Sequence, residues 1–114
     1  MIDFACKRFK LEEIVKCGFG LTKNDFAVLM WFMKRKGEAD SEEISRKLSI
    51  GLTTSQKSLK RLYEKGLIIR TQKNLSDGGY AYYYRIQDKK MIKSKLMTVL
   101  HSWISGVEKS MDDW

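Results

Sequence analysis

At 114 residues, with 43% hydrophobic and 11% aromatic content, the chain can bury one modest core, which predicts a single domain over 1–114 with scope for self-association. Lys and Arg number 22 against 14 Asp and Glu, a formal charge of +8 that favours a polyanionic partner such as nucleic acid or an anionic membrane. The longest apolar run, Phe26 to Met33, is far short of the roughly 18 residues that span a bilayer. The N-terminal MIDFACKRFK lacks the apolar centre of a signal peptide, so a cytoplasmic protein is expected.

The first predicted element is a helix from Asp3 to Cys17, within an N-terminal segment 1–20, apolar at Phe4, Leu11, Ile14 and Val15, with Phe9 off the spacing. Cys6 and Cys17 cannot build a structural zinc site with the single His101, because such a site needs four clustered ligands. They are expected as half-buried small hydrophobes, with a redox pair as the other reading. GFGLTKND then breaks the chain and starts the next helix: Thr22 can accept from the Asp25 amide while the Asp25 carboxylate reaches back. That helix is predicted to run to about Lys36, stopped by Gly37, and to bury Phe26, Leu29, Met30 and Met33, with Trp31 and Phe32 covered on a second side.

Asp40 stands three residues before Glu43, the capping-box spacing, and begins a short helix with Ile44 and Leu48 as core contacts. Gly51 permits a sharp turn, and Thr53 or Gly51 itself caps the following helix, which ends at about Lys65 before Gly66. LIIRTQK and YAYYYRI read as strands, joined through Asp77-Gly78-Gly79 in a β-hairpin. From Asp88, an N-cap, a terminal helix runs to Met111 with Ile92, Leu96, Val99, Trp103 and Val107 at helical spacing, and with His101 as a packing residue.

Three helices, the last two in a helix-turn-helix, followed by a hairpin give the element order of a winged helix-turn-helix, a mainly α (α+β) fold with flanking terminal helices. The core is expected over 21–87 and a dimerisation helix over 88–114. In such a fold the second helix of the pair has an apolar inner side and a polar, cationic outer side that enters a major groove. Leu59 and Leu62 fill the inner side here, with Ser55 as the small residue where the helices cross. Thr53, Thr54, Gln56 and Lys57 face the base edges; Lys60 and Arg61 lie further along, toward phosphate. Between Gly51 and Arg85 seven basic residues stand against two acidic ones, so most of the chain's charge lies on this head.

SEEISRKLSI, SLKRLYEKGLIIR and DGGYAYYYR together resemble the winged-helix domain of archaeal TrmB-like and MarR-like transcriptional regulators of the short, single-domain kind. The likeness spans roughly 21–86, and CGFGL before the first core helix resembles that group's usual entry. The resemblance implies a homodimer on a pseudo-palindromic operator in double-stranded DNA. The recognition helix, 53–65, lies in the groove and the wing, 67–86, on the flanking minor groove or backbone, with Arg70 and Lys73 completing the contact set. The longer TrmB-like proteins carry a C-terminal sugar-binding domain with no counterpart in this sequence, so sugar sensing is not expected.

The terminal stripe argues for a dimer independently. Each large side chain left uncovered forgoes about 1.5 to 3 kcal/mol, and a second copy is the simplest cover; folding back on the N-terminal helix is the alternative. An enzyme is not expected, since the sequence has one His, no metal-ligand cluster, no phosphate-binding Gly loop and no Ser/His/Asp set. No cofactor and no metal are expected. The competing class is a protein-interaction or RNA-associated adaptor, which apolar residues clustering around Leu52 would favour.

Overall fold

The structure, a computed structural model, describes residues 1–35 and 37–114. In chain order it has strands β1 (Ile2–Asp3) and β2 (Arg8–Phe9), helices α1 (Leu11–Phe19), α2 (Lys23–Lys34), α3 (Ser41–Leu48) and α4 (Leu52–Glu64), strands β3 (Ile68–Asn74) and β4 (Tyr80–Ile86), and helix α5 (Lys89–Asp112). This is the expected α+β class, and it divides into two compact units: Thr22–Asp88, and Met1–Leu21 with Lys89–Trp114.

The unit Thr22–Asp88 starts on the predicted capping box. Thr22 Oγ1 accepts from the Asp25 amide at 3.1 Å and the Asp25 carboxylate accepts from the Thr22 amide at 3.1 Å, which satisfies two orphan donors of α2 and places a negative charge at its positive end. The buried stripe of α2 is Val28, Leu29 and Phe32, one position out of phase with the expected one. Phe26 and Met30 are only half-buried and Met33 is exposed. Asp25 also lies on this buried face. The helix ends at Lys34 with Arg35 as C-cap; the expected stop at Lys36 lies outside the described residues.

Asp40 caps α3 by accepting from the Glu43 amide at 2.9 Å. The Glu43 carboxylate does not close a box; it binds the Arg35 guanidinium, which also lies over the Trp31 ring. The turn into α4 is made differently from the expectation. The left-handed residue is Ser49, with φ 53°, whereas Gly51 has an ordinary φ of −63°. Local hydrogen bonding takes the place of glycine: the Ile50 amide donates to the Ser45 carbonyl at 3.1 Å and the Ser45 hydroxyl donates to the Ile50 carbonyl at 2.6 Å. Gly51, not Thr53, is the N-cap of α4, and its carbonyl accepts from the Ser55 amide.

Helix α4 then buries Ser55, Ser58, Leu59 and Leu62. The Ser55 hydroxyl donates to the Ser41 carbonyl at 2.8 Å, so this small residue sits at the crossing with α3 as expected. Val28, Leu29, Phe32, Ile44, Leu59, Leu62, Leu67 and Ile68 form the core. Strands β3 and β4 pair antiparallel from Ile68–Ile86 to Asn74–Tyr80, and left-handed Gly78 and Gly79 turn the tip. A feature absent from the sequence reading sits at the base of this hairpin. Ala39 bridges Tyr84 through two reciprocal backbone hydrogen bonds, 2.9 and 2.8 Å, which adds a minimal third strand.

In the second unit, residues 2–9 form a hairpin where the spacing predicts helix, with Ile2 opposite Phe9 and Asp3 opposite Arg8. Phe9, which never fitted the helical period, meets Phe4 edge-on at 6.0 Å and lies under the Lys7 ammonium. The helix begins only at Leu11, where the Lys10 amide donates to the Glu13 carboxylate at 3.5 Å. It packs on α5 at Gly18: a methyl group there would stand 3.1 Å from Leu96 Cδ1 and 3.9 Å from Val99 Cγ1. Other expectations in this unit need correction. Cys6 and Cys17 are both exposed rather than half-buried, and His101 is exposed rather than packed.

Candidate nucleic-acid interface

The outer side of α4 follows from helical geometry. Positions 53, 56, 57, 60 and 64 recur at spacings of three and four and so share one side. Thr53, Gln56, Lys57 and Lys60 are exposed there, and Thr54 is half-buried at its edge. Lys60 makes a loose i,i+4 pair with Glu64 at 4.0 Å, while Lys57 has no carboxylate partner among the described residues. The first turn of α4 holds no acidic residue, so the partial positive charge at its N-terminus is uncompensated. Leu52 is exposed at the same end.

Arg61 is placed otherwise. Its Nε and one terminal nitrogen donate to the two carboxylate oxygens of Asp25, each at 2.8 Å, across 36 positions of sequence. Asp25 is completely buried. Burial alone would push its carboxyl up, but hydrogen bonds from Arg61 and the Thr22 amide, together with the charge of Arg61, hold it below the usual aspartate value. The same pairing raises Arg61 above its ordinary value. Both donors of the Arg61 fork are therefore turned inward, onto the start of α2.

The wing cations are also engaged. Arg70 lies between the rings of Tyr63 and Tyr82, 4.2 Å from each centroid. The strand register explains this: Arg70 faces Tyr84, so Tyr82 is its diagonal neighbour on the same face, and Tyr63 closes the stack from the end of α4. Burial pushes the Tyr84 hydroxyl up, and Arg70 partly offsets it. Lys73, on the opposite face, pairs with Glu38 at 2.7 Å and lies over the Tyr83 ring at 4.6 Å. The hydrogen bond from Lys73 to Glu38 raises that lysine above its usual value.

Thr53, Thr54, Gln56, Lys57 and Lys60 are thus brought together on one side of one helix. Arg61 stands apart from them, and Arg70 and Lys73 lie on opposite faces of the wing. Sequence reasoning missed Tyr63, Tyr82 and Glu38. The alternation of YAYYYR was a usable signal for the tyrosines, because it places Tyr80, Tyr82 and Tyr84 on the face of whichever strand residue pairs with them.

On α5, Ile92, Leu96 and Val99 are half-buried, and Leu96 and Val99 lie against α1. Trp103 is 62% exposed and Val107 44% exposed. The alternative of folding back on the N-terminal helix therefore holds for the first half of the predicted stripe, and the second half lies open in the single chain. Among the described residues no group of three or more His, Cys, Asp or Glu could hold a metal ion, and no helix is long and apolar enough to cross a membrane.

Comparison with known proteins agrees with this architecture. A solved structure described as a possible transcriptional regulator from Methanosarcina mazei Go1 superposes with a TM-score of 0.92 at 37% identity, covering all of this chain and 96% of that one. A protein from the thermoacidophilic archaeon Sulfolobus tokodaii gives a TM-score of 0.71 at 26% identity, over 84% of this chain and 93% of the other. An uncharacterized protein of Methanocaldococcus jannaschii is 24% identical over 113 residues, 99% of this chain and 85% of its own length. Residues 10–112 match the family model for the TFIIE alpha subunit. With a match over nearly its whole length, the chain belongs to the TFIIE alpha subunit family, and its fold is a winged helix.

Proposed function

We propose that the protein is a sequence-specific, double-stranded-DNA-binding transcriptional regulator that works as a cytoplasmic homodimer, in the manner of short archaeal TrmB-like and MarR-like regulators. The observation that carries this reading is the outer side of α4: Thr53, Gln56, Lys57 and Lys60 exposed in register, over an inner side of Ser55, Leu59 and Leu62 that is fully buried. A helix so divided can present a polar, cationic side to a major groove while its inner side stays in the core. The description of the Methanosarcina relative as a possible transcriptional regulator supports the same reading.

In this proposal Gln56 reads an adenine edge with its paired amide donor and acceptor, Lys57 reaches guanine or phosphate, and Thr53 and Thr54 accompany them. Lys60 neutralises phosphate. Arg61 leaves the contacting set, since its fork is committed to Asp25, and its role is to fix the angle of α4. Arg70, rigidified between two tyrosines, and Lys73 serve the wing. Two copies joined through the open end of α5 would present two reading heads about one helical turn of DNA, roughly 34 Å, apart.

Base reading and phosphate neutralisation leave different marks, which a salt titration by fluorescence anisotropy separates. Gln56→Ala is expected to cost about 1 to 3 kcal/mol on the preferred operator and little on random DNA. Lys60→Ala should weaken both DNAs alike and lower the slope of log affinity against log salt by about 0.9. Equal behaviour of the two variants would mean that α4 does not read bases. No DNA binding by the wild type would pass the case to the adaptor reading, for which exposed Leu52 and Leu75 are the available contacts.

Glu38 supplies a third comparison. It holds Lys73 in an ion pair that phosphate contact must break, so Glu38→Gln should tighten binding to both DNAs and steepen the salt slope, and Lys73→Ala should cancel that gain. An unchanged slope in Glu38→Gln would remove Lys73 from the contact set.

A further inference from the structure

Two exposed apolar surfaces belong to the unit formed by Met1–Leu21 and Lys89–Trp114. One is the β1–β2 hairpin, where Met1, Ile2 and Phe4 are exposed, Phe4 at 60%. The other is the distal part of α5, where Trp103, Ile104, Val107 and Met111 recur at helical spacing and every residue from 101 to 114 is exposed. Neither covers the other within one chain. Their charges are opposite: the first ten residues hold Lys7, Arg8 and Lys10 against Asp3, and residues 101–114 hold Glu108, Asp112 and Asp113 against Lys109.

We infer that in the homodimer the β1–β2 hairpin of each copy docks on the distal α5 of the other, with Phe4 and Ile2 against the Trp103–Val107–Met111 stripe and Lys7 and Arg8 facing Asp112 and Asp113. This rests on the proposed dimer and assigns it a second element. A two-fold axis makes the contact twice, so two small patches add into one interface. It also accounts for the hairpin itself. Ten residues that could have extended α1 instead form a short ribbon whose ion pairs among the described residues, Arg8 with Asp3 at 3.0 Å and Lys7 with Glu13 at 3.5 Å, are solvent-exposed. Exposed pairs of this kind are weak and exchange partners readily.

The native Cys6, exposed in the hairpin turn, provides the probe. One chain keeps Cys6 and carries Cys17→Ser; a second carries Cys6→Ser, Cys17→Ser and Ser110→Cys. The two are mixed, allowed to exchange and treated with a short bis-maleimide. The expected product is a covalent dimer containing one chain of each kind, identified by mass spectrometry. In parallel, Lys7→Glu with Arg8→Glu should weaken dimerisation tenfold or more, Asp112→Lys with Asp113→Lys should do the same, and the four changes together should restore it.

A wild-type dimer by light scattering with no mixed cross-link and no charge-swap rescue overturns the docking while leaving the α5 dimer standing. A monomeric wild type overturns both. If the hairpin variants lose dimerisation only because the ribbon unfolds, the charge swap fails to rescue them, and that result also counts against the docking.

Discussion

Arg61→Ala is expected to destabilise the fold by about 3 kcal/mol at neutral pH, the lower part of the range for breaking a buried ion pair, because Arg61 itself is partly open to water. The carboxylate left behind is fully buried. The pH dependence identifies the cause. In the wild type Asp25 has a folded value below its ordinary one, so its contribution is complete above about pH 4 and is lost as pH falls through the lower folded value. Without Arg61, burial is opposed mainly by the Thr22 amide, and the folded value is expected to rise above the ordinary one. The variant's penalty should then shrink as pH falls through that raised value and Asp25 takes up a proton. Urea unfolding followed by tryptophan fluorescence at several pH values tests this. A gap between the two proteins that stays constant from neutral to mildly acid pH would mean that the loss comes from packing and not from an orphaned charge.

Trp103→Glu with Val107→Glu should give the second large effect. Both side chains are exposed in the single chain, so the substitutions leave the packing of Leu96 and Val99 on α1 undisturbed. The folded monomer should persist by circular dichroism while light scattering shows the dimer gone. Specific operator binding should fall by about a hundredfold or more, because it needs both half-sites, and binding to random DNA should change little. A variant that remains dimeric would place the interface elsewhere.

The helix-turn-helix and wing were legible because each was marked by local chemistry: Thr22 with Asp25, Asp40 before Glu43, and Asp77-Gly78-Gly79 between alternating strands. What was not legible depended on partners distant in sequence. Arg61 reads as one more surface cation in KSLKRLYEK, and only the fold shows that Asp25 needs it. A clue was present, since Asp25 stands three, four and seven positions before Val28, Leu29 and Phe32 and so belongs to the buried stripe. A carboxylate there requires a cation from another element. The N-terminal hairpin was missed because FACKRF gives no turn signal and Leu11, Ile14 and Val15 extend a helical pattern backward. The misfit of Phe9 was the true indication.

The reciprocal bonds between Ala39 and Tyr84 give the wing a gradient of motion. At its root the backbone is tied on two sides, Ile68 is buried and the Gln87 amide donates to the Leu67 carbonyl at 3.2 Å. Toward the tip, residues 72–80 are all exposed, and the turn is closed by two exposed hydrogen bonds, from the Leu75 amide to the Gly79 carbonyl at 3.1 Å and from the Gly78 amide to the Leu75 carbonyl at 3.2 Å. Amide protons of Ala39 and Tyr84 should accordingly exchange with solvent on the timescale of global opening, while those of residues 75–79 exchange through local fraying. A hairpin with a stiff root and a loose tip behaves as a hinged flap: its end can settle on surfaces of different curvature while the helices it springs from keep their angle.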